Sequence, residues 1–529
     1  MNKAGHQLPS RSRSHLIFIV ILFLMSRIIF LYSPEGKFGD ADQAVFGMMA
    51  QKIAALEEFP LYCWEAHYAG APVAYLAAVI FHFFGSGFAQ LRWTMILMIF
   101  PTYFLFYFIY KRLFDGQAAL VGVLFLILSP YIVLNCTTAA YGGYGESFLG
   151  TALIALLSWR IDGRTTLWNL PFYCFLLGLI CGFFVYIHFY VVPAALAFAV
   201  PVIWRLGQER FKGACGFFIG GLIGILPLVV YNILNHARTL TRGAAWVLLI
   251  GRDEASLLPL EVLGKIASQK GDYLQEWLFN APIMFGQYVV PYIFGIGIQA
   301  TAGLVLVVLF IAYAIRAYKG IGEEKVSFYH RQFALFLLIF VLFQWIASLG
   351  ADRHFMPLFV VIPVALLGLV YGHNILKRGI LTILLLMGVL QTYGWHHDFK
   401  KPNFDPRPVL DILNKEGIRE FYSSYWTAYP IMFLGNGTVT GAPLLLPYHE
   451  PFSDRRPQYT EQVVRSRHAA FVFESGEESL KTEFLSFLEE NRVIYKLYDA
   501  NRACLFAGFS KPVGVRFDKQ NWKNYFFLK

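Results

Sequence analysis

FGDADQAVFGMMAQKIAALEEFPLYCWEAHYAGAPVAYLAAVIFHFFG, residues Phe38 to Gly85, follows directly on the first long apolar run of the chain. Its residues predict an amphipathic helix, an aromatic-rich turn and then a short, strongly apolar helix. Asp40 and Asp42 stand at its start, just outside the membrane that the preceding apolar run predicts. Ionisable groups held at a membrane boundary are costly to desolvate, so they pair, bind a cation or move a proton. Acids are also favoured in the first turn of a helix. Both readings of the two aspartates stay open on these residues alone.

Around this stretch the composition fixes the class. Hydrophobic residues make up 57% of the 529 residues and charged residues only 15%, and the mean hydropathy is +0.52. A soluble domain carries about 25% charged residues, so the chain reads as a polytopic membrane protein. Aromatics at 17%, with 51 Phe, suit lipid-facing and interfacial positions. The net charge of +10 fits basic loops against anionic lipid, and no nucleic-acid partner is expected. The six cysteines form no C-x-x-C pair, so neither a zinc site nor a disulfide framework is indicated.

The amino-terminal run LIFIVILFLMSRIIFLY has too long an apolar core for a signal peptide and no A-x-A-like site before Pro34, so it reads as an uncleaved span. A window of about 20 residues gives about 11 transmembrane helices. They lie near 15–33, 91–110, 116–135, 146–160, 170–187, 189–206, 214–234, 297–317, 331–349, 355–372 and 378–394. The stretch 71–85 is short and reads as re-entrant or interfacial. Every second loop is basic, with Lys111/Arg112, Arg160/Arg164, Arg205/Arg210 and Lys319/Lys325 among its residues. The positive-inside rule then places the N-terminus in the cytoplasm and the aspartate loop, 34–90, on the outer side. The long loop 235–296 and the tail from 396 lie on that outer side too.

The tail, 396–529, alternates helix-like and strand-like runs: PVLDILNKEG, REFYSSY, TAYPIMFLG, TVTGAPL, HAAFVF, ESLKTEFLSFLEENR, VIYKLYDA and ACLFAGF. That alternation predicts a soluble α/β domain with a largely parallel sheet. It carries neither G-x-G-x-x-G nor a Walker motif, so no nucleotide site is expected. No internal repeat is visible, and the spans are almost clear of ionisable residues at mid-depth, which weighs against a lipid or solute transporter.

GDADQAVFGMMAQKI followed by YCWEAHYAGAPVAYLAAVIFHFFG resembles the first outer loop of the C-type superfamily of integral membrane glycosyltransferases. The likeness is greatest to bacterial relatives of protein O-mannosyltransferases and of the lipid A aminoarabinose transferase. AAYGGYGESFLGTALIALLSWR, GLICGFFVYIHFYVVPAAL, GGLIGILPLVVYNI, DRHFMPLFVVIPVALLGL and SSYWTAYPIMFL resemble later segments of that family. The resemblance implies a transmembrane glycosyltransferase domain, 1–395, with the tail on the periplasmic side of a bacterial inner membrane. It also implies a sugar donor linked to polyprenyl phosphate, and a glycolipid, glycan or protein as acceptor. A surface-glycan polymerase or ligase of similar architecture is the alternative within the family.

A first-loop carboxylate acts as base in such enzymes. Aligning AVFG with the family's version puts Asp42 on its aspartate, with Asp40 as partner or helix cap. The next position, an acid in many members, is Gln43 here, which puts metal-binding schemes in doubt. A divalent cation remains an open expectation. Arg353 and His354 at the mouth of span ten, and Arg242 (with Arg238 and Arg252) in the long loop, are candidates to grip the donor phosphate. His67, Tyr68, Glu146 and His188 are candidates for the substrate pocket.

Overall fold

The computed structural model describes residues 10–162, 169–239, 280, 282–283, 285–347, 352–398, 403–444, 454–518 and 523–529. The chain opens with α1 (Ser10–Leu31) and one short turn, α2 (Pro34–Lys37). The first loop then folds as α3 (Ala41–Ala54), a turn, and α4 (Pro72–Phe84). α5 (Phe88–Leu113), α6 (Gly116–Ile127), α7 (Tyr131–Cys136), α8 (Tyr144–Asp162) and α9 (Leu170–Ile187) follow. Further helices cover Arg210–Gly224, Leu226–Leu234, Ile296–Lys319, Glu324–Ala347, Val361–Leu369 and Asn374–Asp398.

Among the described residues, six helices are long and apolar enough to cross a membrane, and a pair bent by 47° at Ile225 makes a seventh. Pro227, at the start of the second half of that pair, supplies the bend. Several of the other expected spans are interrupted. The expected 116–135 span is divided between α6 and α7 where Pro130 stands. The 189–206 span carries a π-helical turn at Ala195–Ala199 between Pro193 and Pro201. The 355–372 span begins as the tighter 3₁₀ segment Asp352–Val360, with Pro357 inside it. Proline removes a backbone donor and clashes with the preceding turn, which is why apolar runs of adequate length do not become single straight rods. α4, at 13 residues, extends about 20 Å, short of a bilayer core of about 30 Å.

Arg27 is an ionisable group well inside the first expected span. It is fully buried and donates to Thr137 Oγ1 at 3.0 Å, Ser26 Oγ at 3.0 Å and the Tyr103 hydroxyl. α9 and the Arg210–Gly224 helix approach through glycines. A Cβ on Gly178 would lie 1.9 Å from Phe217 O, and one on Gly220 would lie 1.9 Å from Phe175 O. Small residues four apart let backbones come this close, as in membrane helix pairs generally.

The tail folds as a five-stranded sheet in the order β2-β1-β3-β5-β4, with a separate β6-β7 hairpin. The strands are β1 (Glu420–Ser424), β2 (Thr440–Leu444), β3 (Ala470–Glu474), β4 (Lys496–Asp499), β5 (Ala503–Ala507), β6 (Val513–Asp518) and β7 (Lys523–Leu528). β1 runs parallel to β2 and β3, but β3–β5 and β4–β5 are antiparallel. The sheet is therefore mixed, not largely parallel. Helices separate β1, β2 and β3, whereas the short link between β4 and β5 permits only an antiparallel return. Phe471, Phe473, Phe484 and Phe506 form the core of this sheet.

α3 departs from its amphipathic reading. Ala41, Gln43 to Ala50 and Ile53 are all buried, polar Gln43 included. The face that the sequence leaves for water is covered by the tail's Tyr425–Gly435 helix, whose Phe433 side chain lies against Gly47, stacks on Phe81 and meets Phe88 edge-on.

Candidate functional site

Arg92, at the start of α5, fixes the beginning of the first loop. Its buried guanidinium donates to Gly36 O at 2.7 Å, Phe38 O at 2.8 Å and Gln43 Oε1 at 3.2 Å. From the tail, Asn403 donates to Glu35 O and Phe38 O, both at 3.0 Å. Carbonyls held on both sides set where α3 begins. Asp40 is its N-cap: Oδ1 accepts from the Gln43 N–H at 3.1 Å and Oδ2 from the Tyr141 hydroxyl at 2.7 Å. Burial, and then the charge of Asp42, raise the Asp40 pKa to about 6 against the opposing hydrogen bonds. Both Asp40 oxygens are thus engaged in capping and anchoring.

Asp42 lies in the first turn of α3, its carboxylate 28% exposed. Its Oδ1 accepts from the Tyr425 hydroxyl at 2.6 Å, and Arg455 Nη2 is 3.6 Å from the same oxygen. Oδ2 has no hydrogen-bond partner among the described residues. Arg455 Nε in turn donates to the Tyr425 hydroxyl at 3.3 Å, and its backbone N–H donates to the Tyr429 hydroxyl at 2.7 Å. Burial raises the Tyr425 pKa, and the Asp42 charge raises it further, so the phenol stays a donor. Burial opposes the Arg455 charge, but Tyr425 and Asp42 outweigh it and keep the guanidinium protonated. Neither residue is among the sequence candidates. Tyr425 does lie in SSYWTAYPIMFL, one of the family-like stretches, while Arg455 has no such signal.

Arg353 faces the same space. Its guanidinium lies 5.6 Å from the centre of the Tyr144 ring, and Tyr144 first, then Asp42, raise its pKa against the effect of burial. Tyr68 is within electrostatic reach of both cations: burial raises its pKa, Arg455 and Arg353 oppose that rise and Asp42 adds to it. Behind it the rings of Tyr68 and Tyr144 meet His188 at 6.0 and 5.3 Å. His188 is buried, and its Nδ1 accepts from the Tyr190 N–H at 3.2 Å. Gly143 makes this approach feasible: at φ +104°, a Cβ there would fall 2.4 Å from that of His188. Glu146, fully enclosed, turns back to accept from the Gly143 N–H at 3.1 Å and so starts α8.

His67 is directed elsewhere. Its Nδ1 pairs with the Tyr231 hydroxyl at 2.6 Å and its Nε2 lies 3.3 Å from Glu65, which also pairs with Arg238 at 3.6 Å. The structure thus brings Asp42, Tyr68 and Arg353 together, keeps Asp40, Glu146 and His188 as their support, and separates His67. Arg242 and Arg252 lie outside the described residues, as does the side chain of His354. Among the described residues no three His, Cys, Asp or Glu side chains gather to hold a metal. Gln43 Oε1 accepts from Arg92 and both Asp40 oxygens are engaged, so of these three side chains Asp42 alone keeps an oxygen without a hydrogen-bond partner among the described residues.

No protein-family model and no curated protein matches the sequence. Solved structures do. The Archaeoglobus fulgidus oligosaccharyltransferase in its apo form aligns over 94% of this chain and 74% of its own, at 14% identity and a TM-score of 0.50. The same protein tethered to an acceptor peptide containing the NVT sequon aligns over 95% and 74%, again at 14% identity and 0.50. ArnT from Cupriavidus metallidurans bound to undecaprenyl phosphate aligns over 93% and 97%, at 13% identity and a TM-score of 0.45. In fold, the chain is thus similar to the oligosaccharyltransferase, in keeping with the resemblance that its first loop carries.

Proposed function

We propose that the protein is an inverting glycosyltransferase acting on the outer face of the membrane, moving a sugar from a polyprenyl-phosphate carrier to an acceptor hydroxyl or amine. The observation that carries this reading is the Asp42 carboxylate paired with Arg455 and within electrostatic reach of Arg353, its Oδ2 without a hydrogen-bond partner among the described residues. An acceptor hydroxyl is a weak nucleophile. Asp42 Oδ2 takes its proton as the acceptor oxygen bonds to C1 of the sugar. The C1–O bond to the lipid phosphate breaks on the opposite face, which inverts the anomeric centre. Polyprenyl phosphate leaves with the electron pair, and Arg353 stabilises its growing charge. The Tyr68 and Tyr144 rings offer flat surfaces on which a sugar can stack. The orientation follows from the basic loops, which put Asp42 and the tail outside.

Asp42→Asn keeps the size and the Tyr425 hydrogen bond but cannot take the proton. Transfer is expected to fall by about 10²–10⁴. The measurement is mass spectrometry of surface glycolipids, glycans and glycoproteins from cells lacking the chain, complemented with wild type or variant. Products equal in the two complemented strains would remove Asp42 from the chemistry.

A further inference from the structure

The proposed base does not stand alone on its loop. Everything that touches the Asp42 carboxylate by hydrogen bond or ion pair among the described residues comes from the tail, from Tyr425 at the end of β1 and from Arg455. Arg455 is 12% exposed at its side chain, and Asp42 is its one acidic partner among the described residues. The two tail residues are also tied to each other, through the Arg455 Nε to Tyr425 hydroxyl bond at 3.3 Å. Separate contacts fix the docking register. Gln51 of α3 donates to Phe433 O at 2.9 Å, Arg456 pairs with Glu58 and lies 4.6 Å from the Trp64 ring centre, and Phe433 fills the surface over Gly47.

A carboxylate 28% exposed and free to turn about two side-chain bonds would present either oxygen to solvent. The Tyr425 hydrogen bond and the Arg455 ion pair, both on Oδ1, restrict that freedom and leave Oδ2 for the acceptor.

We propose that Tyr425 and Arg455 are positioning residues for Asp42, so that the catalytic centre is complete only with the tail domain docked on the first loop. This rests on Asp42 being the base. A donor-binding role for Arg455 is the competing assignment, because the guanidinium also lies near Tyr68 and the space that Arg353 faces.

The test uses the full-length protein in liposomes. The probe is the polyprenyl-phosphate lipid fraction extracted from the producing cells, titrated at fixed acceptor membrane. Arg455→Gln is expected to lower the maximal rate by about 10- to 100-fold and Tyr425→Phe by about 3- to 10-fold. The half-saturating amount of lipid should stay within about twofold of wild type, because uniform binding is untouched. Arg455→Lys should recover part of the rate, since it restores the charge. Adding Arg455→Gln to Asp42→Asn should cost nothing further, as groups acting through one another are not additive.

A rise in half-saturation with an unchanged maximal rate would assign Arg455 to the donor phosphate and overturn the proposal. So would wild-type rates in both single variants while Asp42→Asn is inactive, an outcome that leaves Asp42 as base. An active Asp42→Asn would overturn the proposed function itself. If Arg455→Gln does not fold, Tyr425→Phe, which removes a single oxygen atom, carries the test.

Discussion

Asp40 and Asp42 are two residues apart in sequence and have opposite environments. Asp40 is bound to its own helix and to Tyr141, while Asp42 is bound to a domain whose Tyr425 lies 383 residues away. The first arrangement is partly legible in sequence, because an acid before a helix caps it whatever else it does. The second leaves no local trace: a hydrogen bond across that separation imposes no periodicity on either segment. Asp40 also has a measurable signature. Its folded pKa of about 6 exceeds the unfolded value of about 4, so between these pH values the folded state binds more protons than the unfolded one. Stability should therefore fall as pH rises from about 4 to 6 and level off above that. Asp40→Asn keeps an oxygen for the Gln43 N–H and removes the titration. Its thermal midpoint in detergent should lose that slope, and should exceed wild type near neutral pH. A wild-type slope in the variant would assign the titration to another group.

At the level of elements, the sequence is most informative where one residue type repeats and least where proline interrupts. The tail helices Arg407–Lys415, Tyr425–Gly435 and Glu478–Glu490 and strands β1 to β5 fall where the alternation of runs places them. The hairpin β6-β7 and the Pro457–Arg465 helix do not stand out, being short. Length and apolar content identify membrane segments but not their breaks, so the α6–α7 pair reads as one span and folds as two. The seam between α9 and the Arg210–Gly224 helix allows a test with an internal control. A Cβ on Gly220 would meet Phe175 O at 1.9 Å, whereas one on Gly221 would lie 3.8 Å from Gly178 O, an ordinary contact. Gly220→Ala should lower the thermal midpoint, at a cost of about 1–3 kcal/mol for the forced separation. Gly221→Ala should be neutral or gain up to about 1 kcal/mol from helix propensity. Equal midpoints for the two variants would show that the helices do not cross at this distance.

Over the whole molecule, the tail is both a cover for α3 and the source of the groups on Asp42, which explains why α3 carries an apolar surface on nearly every side. That interpretation depends on the tail and the first loop lying on one side of the membrane. Reporter fusions after residues 112, 206 and 325 should report cytoplasm, and fusions after 70, 240 and 395 the opposite compartment, as the basic loops require. A cytoplasmic signal at 395 alone would put the tail across the membrane from Asp42 and break the contact.

The docking itself can be perturbed without touching Asp42, Tyr425 or Arg455. Gly47 faces the Phe433 ring, with a Cβ there falling 2.5 Å from it, and that ring is held by Phe81 at 6.0 Å and Phe88 at 4.9 Å between ring centres. Because the ring has no room to move aside, Gly47→Leu must push the Tyr425–Gly435 helix away from α3. If the domain positions the base, this distant wedge should reproduce the kinetics of Tyr425→Phe, a lower maximal rate at unchanged donor half-saturation, and Phe433→Ala in the same chain should restore the rate by making room. Phe433→Ala alone leaves a cavity, which costs about 3–5 kcal/mol of stability at most, so its thermal midpoint is read alongside its rate. A Gly47→Leu protein with wild-type kinetics would mean that the tail can shift without the chemistry noticing, and the assembly argument would fail at its largest scale.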